Sequence, residues 1–225
     1  MPYRRTVLAP DQFYHILNRG VAGLPIFLHK KDYLRFIELV NYYRFTNVPT
    51  SFSKFKKLPL EERSKTLKGL EIENNTHIII YSFCLMPNHF HLLLKQVTEN
   101  GIRTFLSNLQ NGFAKYHNIK NDRNGPLFQS TFKAVRVDTD DQLLHVSRYI
   151  HLNPTTSFLV RIKDLSIYPW SSLPTYIDNN LKKFSFIDTR FILGLVGFQN
   201  KYGQFILDQA DYQRELDKIK HLSLE

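Results

Sequence analysis

Cysteine is nearly absent from this sequence of 225 residues: there is one, Cys84. A lone thiol closes no intramolecular disulfide, so a disulfide-stapled scaffold is excluded, and a four-cysteine zinc ribbon with it. Long hydrophobic runs are missing too. The most apolar stretch, Ile78 to Met86, falls far short of the roughly 20 residues that a membrane-spanning helix needs. No cleavable signal peptide is expected at the start of the chain. The phosphate-cradling Walker glycine loop, the dinucleotide-binding glycine turn and the G-x-S-x-G elbow are all lacking. ATP-driven and nicotinamide chemistry therefore have no support, and no nucleotide cofactor is expected. Acidic residues are in the minority, 20 against 30 Lys and Arg, for a net charge of +10. That surplus points to a polyanionic partner, as an argument about association and not about fold. Aromatics are plentiful. The 18 Phe and 12 Tyr exclude a disordered chain. The length suits one domain with, at most, a small appendage.

Gln12 to Gly20 reads as a strand that leaves a basic arm carrying Arg4 and Arg5. Tyr33, Phe36, Ile37, Val40 and Tyr43 recur at helical spacing and predict a helix over about 30–45, with Asp32 near its start. From Thr46 to Asn75 the pattern breaks into a charge-rich insertion, partly helical and mostly solvated. Thr76 to Met86 and Phe90 to Val97 read as strands joined at a Pro87-Asn88 turn. Ile102, Phe105, Leu106, Leu109, Phe113 and Tyr116 form a second helical stripe. A short strand over Phe132 to Val137 and a helix over Asp140 to Leu152 follow, with Asp138, Thr139 or Asp140 as its cap and Asn153-Pro154 as its stop. A tail from Leu165 onward holds an apolar stretch at Phe191 to Val196 and a polar terminal helix over about 209–221. Without the insertion and the last helix the order is βαββαβ. It fits an α+β, split-βαβ sheet with helices on one face.

Three local features carry chemistry. In His89-Phe90-His91 the strand period of two puts both imidazoles on one face and Phe90 on the other. Two neutral imidazoles side by side can bind a divalent transition ion. Spacing alone leaves a second reading open, a polar strand face with two ordinary histidines, and a metal would need a third ligand from elsewhere. Tyr149 precedes Asn153 by four residues, so on a helix they share a face. A phenol there could attack a phosphate once activated, with the amide oxygen completing a metal site. Equally, Tyr149 could pack beside Val146 and Leu152, and Asn153 could be a helix cap. The third feature is basic and aromatic material: Arg4, Arg5, Arg19, Lys95, Arg103, Lys133, Arg136 and Arg148 as phosphate contacts, with aromatics to stack on unpaired bases. A solvated surface would look the same. His15, His117, His145 and His151 are weaker candidates, and His151, two residues on from Tyr149, points to another side of the helix. Cys84 reads as a core thiol.

Cys84-Leu85-Met86-Pro87-Asn88-His89-Phe90-His91-Leu92-Leu93-Leu94 resembles the signature of transposases of the insertion-sequence-200 type, and more narrowly of the REP-associated tyrosine transposases within the HUH endonucleases. Gly125 to Lys133 is similar to that family's glycine-x-leucine-(tryptophan or phenylalanine)-glutamine block. Arg148 to Pro154 resembles its nucleophile helix, and Tyr168-Pro169-Trp170-Ser171-Ser172 its tryptophan-serine-serine block. The four motifs run in order over roughly residues 8–177.

The resemblance implies a ferredoxin-like sheet. It implies His89, His91 and Asn153 as metal ligands, the last where relatives commonly carry glutamine, Mg²⁺ or Mn²⁺ as the ion, and Tyr149 as nucleophile. The implied substrate is single-stranded DNA beside an imperfect hairpin, held by the basic surface, with the N-terminal arm on a short guide sequence. The reaction would be nicking and joining through a 5′-phosphotyrosine link. The implied organisation is a catalytic domain over 1–177, interrupted at about 46–75, and a helical extension over 178–225. The protein is expected in the cytoplasm, associated with the nucleoid, as a monomer or homodimer without membrane contact. The rival reading is a non-catalytic nucleic-acid-binding module on the same kind of sheet.

Overall fold

The computed structural model describes residues 6–178, 184–197 and 199–208. Arg4, Arg5 and the terminal helix expected over 209–221 lie outside the described residues. Strand β1, Phe13–Arg19, is buried through its middle, from Tyr14 to Asn18, and helix α1, Lys30–Tyr43, follows it. The insertion forms α2, Phe52–Phe55, and α3, Leu60–Glu73, and is not wholly solvated: Phe52, Phe55 and Leu70 are buried. Strands β2, Ile78–Met86, and β3, His89–Gln96, form a hairpin about Pro87 and Asn88. Helix α4, Gly101–Lys120, and strand β4, Lys133–Val137, complete the βαββαβ unit.

The four strands pair antiparallel throughout, in the order β2-β3-β1-β4. The two crossover connections carry α1 and α4, which pack together on one face. That is the ferredoxin-like arrangement expected from the element order. Residues directly opposite in an antiparallel pair share a face. Tyr14, Ile16, Phe90, Leu92 and Leu94 point to α1 and α4, where Phe27, Phe36, Phe90 and Phe113 meet at ring distances of 4.9 to 5.3 Å. Each such buried ring contributes about 1.5–3 kcal/mol.

The opposite face is covered as well. Helix α5, Asp140–Thr156, lies against β2 and β3. Helices on one face is thus correct for the two crossover helices only. Thr139 caps α5 by accepting from the Gln142 N–H. The helix continues past the expected stop, with Pro154 inside it. Proline costs a helix most in its interior. Only two helical residues follow this one, and the Asn153 carbonyl still accepts from the Ser157 N–H.

The exposed edge of β2 is closed by the chain beyond α5. The Leu85 N–H donates to Trp170 O, Ser172 N–H donates to Phe83 O, and Asp188 N–H donates to Ile80 O. An open strand edge is an aggregation template, and these segments pair it. Beyond them come α6, Leu173–Ile177, α7, Arg190–Val196, and α8, Gln199–Leu207, packed on one another and on α5. Among the described residues no helix is long and apolar enough to cross a membrane.

Candidate active site

On the α5 side of the sheet, β1 contributes His15, Leu17 and Arg19, and β3 contributes His89, His91 and Leu93, paired as Leu17 with His91 and Arg19 with His89. His89 is 5% exposed and His91 is fully buried, with ring centroids 4.9 Å apart at 81°. The Asn88 amide donates from Nδ2 to the Gly23 carbonyl at 3.1 Å, which fixes its orientation. Its Oδ1 therefore faces His89 Nδ1 at 2.6 Å and can only accept, so Nδ1 carries the proton and Nε2 keeps the lone pair. His91 Nδ1 lies 3.0 Å from His15 Nε2, and one of the two donates. His91 Nε2 and Asn153 Oδ1 are buried with no hydrogen-bond partner. A buried polar atom left unpaired costs free energy, and such atoms mark functional places more often than chance.

Helix α5 brings Tyr149 and Asn153 to this face. Tyr149 is 5% exposed, and its ring meets His91 at 5.6 Å and His15 at 5.8 Å, edge-on to both. The Asn153 side chain is the polar neighbour of His89. Residues 15, 89, 91, 149 and 153, from β1, β3 and α5, thus form one cluster.

Its electrostatics are those of neutral imidazoles in a dry place. Burial, with the Arg19 charge added, pushes His89 down to about 4, and the neighbouring Asn153 amide pulls the other way. His91 is held well below the ordinary imidazole range, by burial first and then by His15, His89 and Arg19. Neutral imidazole is the form that binds a metal. Among the described residues no three His, Cys, Asp or Glu are placed to hold a metal ion together, so an ion here would depend on the Asn153 amide as third ligand. Two imidazole nitrogens and one amide oxygen form a mixed set, better matched to Mn²⁺ than to the harder Mg²⁺. The residues fit such an ion, and the open positions would fall to water or phosphate.

A sequence model of the family described as "Transposase IS200 like" matches residues 41–153, which run from the last residues of α1 to Asn153. The chain belongs to the IS200-like transposase family. It is a DNA-processing enzyme of transposase type. A solved structure described as "Structure of the REP associates tyrosine transposase bound to a REP hairpin" aligns with a TM-score of 0.54 at 15% identity, over 80% of this chain and 88% of that one. At that identity the likeness concerns the fold. No curated protein matches the chain.

Among the described residues, the basic positions singled out in this transposase do not form one surface. Arg19 and Lys133 stand at the His89 end of the sheet, on the cluster's side. Lys95 is on the same side at the far end, paired with Asp11 at 2.8 Å. Arg136 points to the other side and pairs with Asp138 at 2.7 Å. Arg103 is exposed on α4. Arg148 corrects the expectation. It is 3% exposed, lies over the Phe205 ring at 4.4 Å and donates to His145 Nδ1, so its guanidinium is a packing element and not a surface phosphate contact. Long basic side chains often bury this way against aromatics.

His15 and Asn88 are the residues that sequence reasoning undervalued. His15 carried no more signal than His117, because its importance comes from a register that pairs β1 with β3. Asn88 looked like a turn residue only. Its signal was position, one residue before a candidate ligand. His151 faces away from the cluster, as its spacing predicts, and bonds Tyr202 and Ser172 at 2.7 Å each. Cys84 is fully buried, and burial pushes its thiol up.

Proposed function

We propose that this transposase cuts and rejoins single-stranded DNA next to a hairpin, with Tyr149 as the nucleophile. The observation that carries the reading is the meeting of Tyr149 with His89, His91 and Asn153 on one sheet face, two of them with unpartnered buried atoms. A divalent ion held by His89 Nε2, His91 Nε2 and Asn153 Oδ1 would act as a Lewis acid toward the phosphate and offset its growing charge. The Tyr149 oxygen forms a bond to phosphorus and gives up the phenolic proton. The bond from phosphorus to the 3′-oxygen breaks, and that oxygen takes up a proton. The products are a 5′-phosphotyrosine and a free 3′-hydroxyl. Attack by a second 3′-hydroxyl reverses the step without ATP, because one ester replaces another. Asn88 and His15 hold the two imidazoles by Nδ1, which keeps the Nε2 atoms aimed. Arg19 and Lys133, on the cluster's side of the sheet, would contact the phosphates on either side of the scissile one.

The test uses Tyr149→Phe, which removes one oxygen and leaves the ring packed. Wild type with Mn²⁺ and a labelled hairpin bearing single-stranded flanks should give a denaturation-resistant adduct that maps to Tyr149. The Phe variant should bind the same DNA and form no adduct, and His89→Ala should lose the adduct and the metal. Metal-dependent cutting by the Phe variant would transfer the role of nucleophile to water. An adduct on another tyrosine would break the assignment.

A further inference from the structure

The insertion lines part of a basic pocket. Between α1, α2 and α4, on the far side of the sheet from the His89–Tyr149 cluster, lies an open pocket of about 580 Å³. Its charged lining is Arg35, Lys54, Lys57, Lys115 and Lys120, and no acidic residue among the described ones lines it. Ser51 and Ser53 add hydroxyls from the stretch that starts α2. Lys120 is neutralised from beneath by the buried Asp32 at 2.6 Å. Glu38, the nearby acid that acts on Arg35, is bonded to Lys56, which lies outside the lining. Counting Asp32, the pocket keeps a surplus of four positive charges.

Arg35 shows that the pocket is built and not merely a patch of solvated lysines. Its guanidinium is clamped between the Phe52 ring at 4.4 Å and the Tyr116 ring at 5.2 Å. Its Nε is buried with no hydrogen-bond partner. A cation held against two rings, with its Nε buried and without an acceptor, is preorganised for an anion that brings its own oxygens. Phe52 belongs to the insertion and is 3% exposed, so the clamp exists only because α2 folds back onto α1. An apolar rim at Ile119, 74% exposed, lies beside it.

We propose that this pocket takes a backbone phosphate of the DNA that the transposase processes, as an anchor remote from the cleavage site. The proposal rests on the reading of the protein as one that holds DNA, and not on Tyr149 being the nucleophile. It gives the insertion a role: the stretch from Ser51 to Lys57, around α2, supplies four of the nine lining residues.

The experiment measures binding of an uncleaved, fluorescently labelled hairpin with single-stranded flanks, in EDTA, across a salt series. The triple variant Lys54→Glu, Lys57→Glu, Lys115→Glu is compared with the charge-matched Lys65→Glu, Lys68→Glu, Lys163→Glu, three exposed lysines outside the pocket. Each lost phosphate contact lowers the slope of log K against log salt by about 0.7–0.9. The pocket variant should lose just under one unit of slope and roughly tenfold in affinity at about 0.1 M salt, and the matched variant much less. Equal losses in the two triples would reduce the effect to net charge and overturn the proposal. Wild-type affinity and slope in the pocket triple would overturn it too. Calorimetry with orthophosphate separates the remaining case: a pocket that binds the free anion while DNA affinity stays unchanged is a small-anion site. Should the glutamate triple fail to fold, the glutamine triple repeats the measurement with smaller shifts of the same sign. Failure of wild type to bind any DNA would sink the DNA reading itself, whereas failure to form an adduct leaves this test intact.

Discussion

Asp32→Asn changes one atom at the centre of a buried ion pair and should cost more stability than any surface change in the chain. The Asp32 carboxylate is fully buried and receives four donors: Lys120 Nζ at 2.6 Å and the Tyr116 hydroxyl at 3.0 Å on one oxygen, the Leu28 and His29 N–H groups at 3.0 and 2.9 Å on the other. It thereby closes the start of α1 and ties it to the end of α4. An amide offers one oxygen and one NH₂, so in either orientation two donors meet a donor. Breaking a buried pair costs about 3–5 kcal/mol. Lys120 keeps 27% of its side chain exposed and can rehydrate, which lowers the figure to about 2–3 kcal/mol. For a chain of this size that is a fall of roughly 5–10 °C in Tm.

The pH dependence supplies the second half of the test. Burial alone would raise the Asp32 carboxyl, but the bonds from Lys120, His29, Tyr116 and Leu28 outweigh it and hold the group below its ordinary 3.8. Between the folded and unfolded values the unfolded chain binds more protons, so stability rises with pH there. The contribution is complete above about 3.8 and is lost as pH falls through the folded value. Urea unfolding at pH 7 should therefore show the full gap between wild type and variant, and the gap should narrow below pH 4. A loss under about 1 kcal/mol at pH 7, or a gap that stays constant into acid, would refute the assignment of this carboxylate as an ionised staple.

Asn153→Leu should fold at least as stably as wild type, because it removes a buried oxygen without a partner, and it should lose Mn²⁺ binding and adduct formation; an unfolding loss above about 2 kcal/mol would show that the amide is structural. Gly20→Ala should destabilise by about 2–3 kcal/mol in urea, since its Cβ would sit 2.1 Å from the Leu24 carbonyl oxygen, a backbone atom that cannot swing aside, and an unchanged midpoint would mean that the turn can open. Tyr202→Phe should cost about 1–3 kcal/mol and speed hydrogen exchange in α8, because His151 Nδ1 and Ser147 Oγ both lose the same hydroxyl; unchanged exchange would separate α8 from α5.

The sheet and the cluster's main members were legible because they depend on short-range periodicity. The period of two in His89-Phe90-His91 fixed which side each ring takes, and the step of four in Tyr149 and Asn153 did the same for α5. What stayed hidden depends on long-range register. His15 matters because β1 pairs with β3, 76 residues away from His91. Arg148 reads as a surface cation until Phe205 covers it, and Phe205 belongs to a helix that no motif announced. The end of α5 was misplaced for a local reason: Pro154 is judged by its average cost, which says little so near a helix terminus. The pocket on the insertion escaped notice because Lys54, Lys57 and Lys115 are ordinary lysines in sequence, and only Arg35 between two rings makes them a site.

Helix α5 has to be set in rotation as well as in place, since Tyr149 and Asn153 reach the histidines from one narrow stripe. A slip of one residue would turn that stripe by about 100° and carry both side chains off the site. The opposing stripe opposes such a slip. Ser147 and His151, also four apart, lie two residues out of phase and are tied on the other flank: Ser147 to Ser82 at 2.8 Å and to Tyr202 at 2.7 Å, His151 to Tyr202 and Ser172 at 2.7 Å each. These groups are buried, so each bond lost by rotation would leave an unpaired polar atom in a dry core. Leucines at the same places would pack, but apolar contact tolerates rotation far better than hydrogen bonds do. The polar stripe is thus the reason that one helix can present a tyrosine and an asparagine in fixed register to two histidines on a strand.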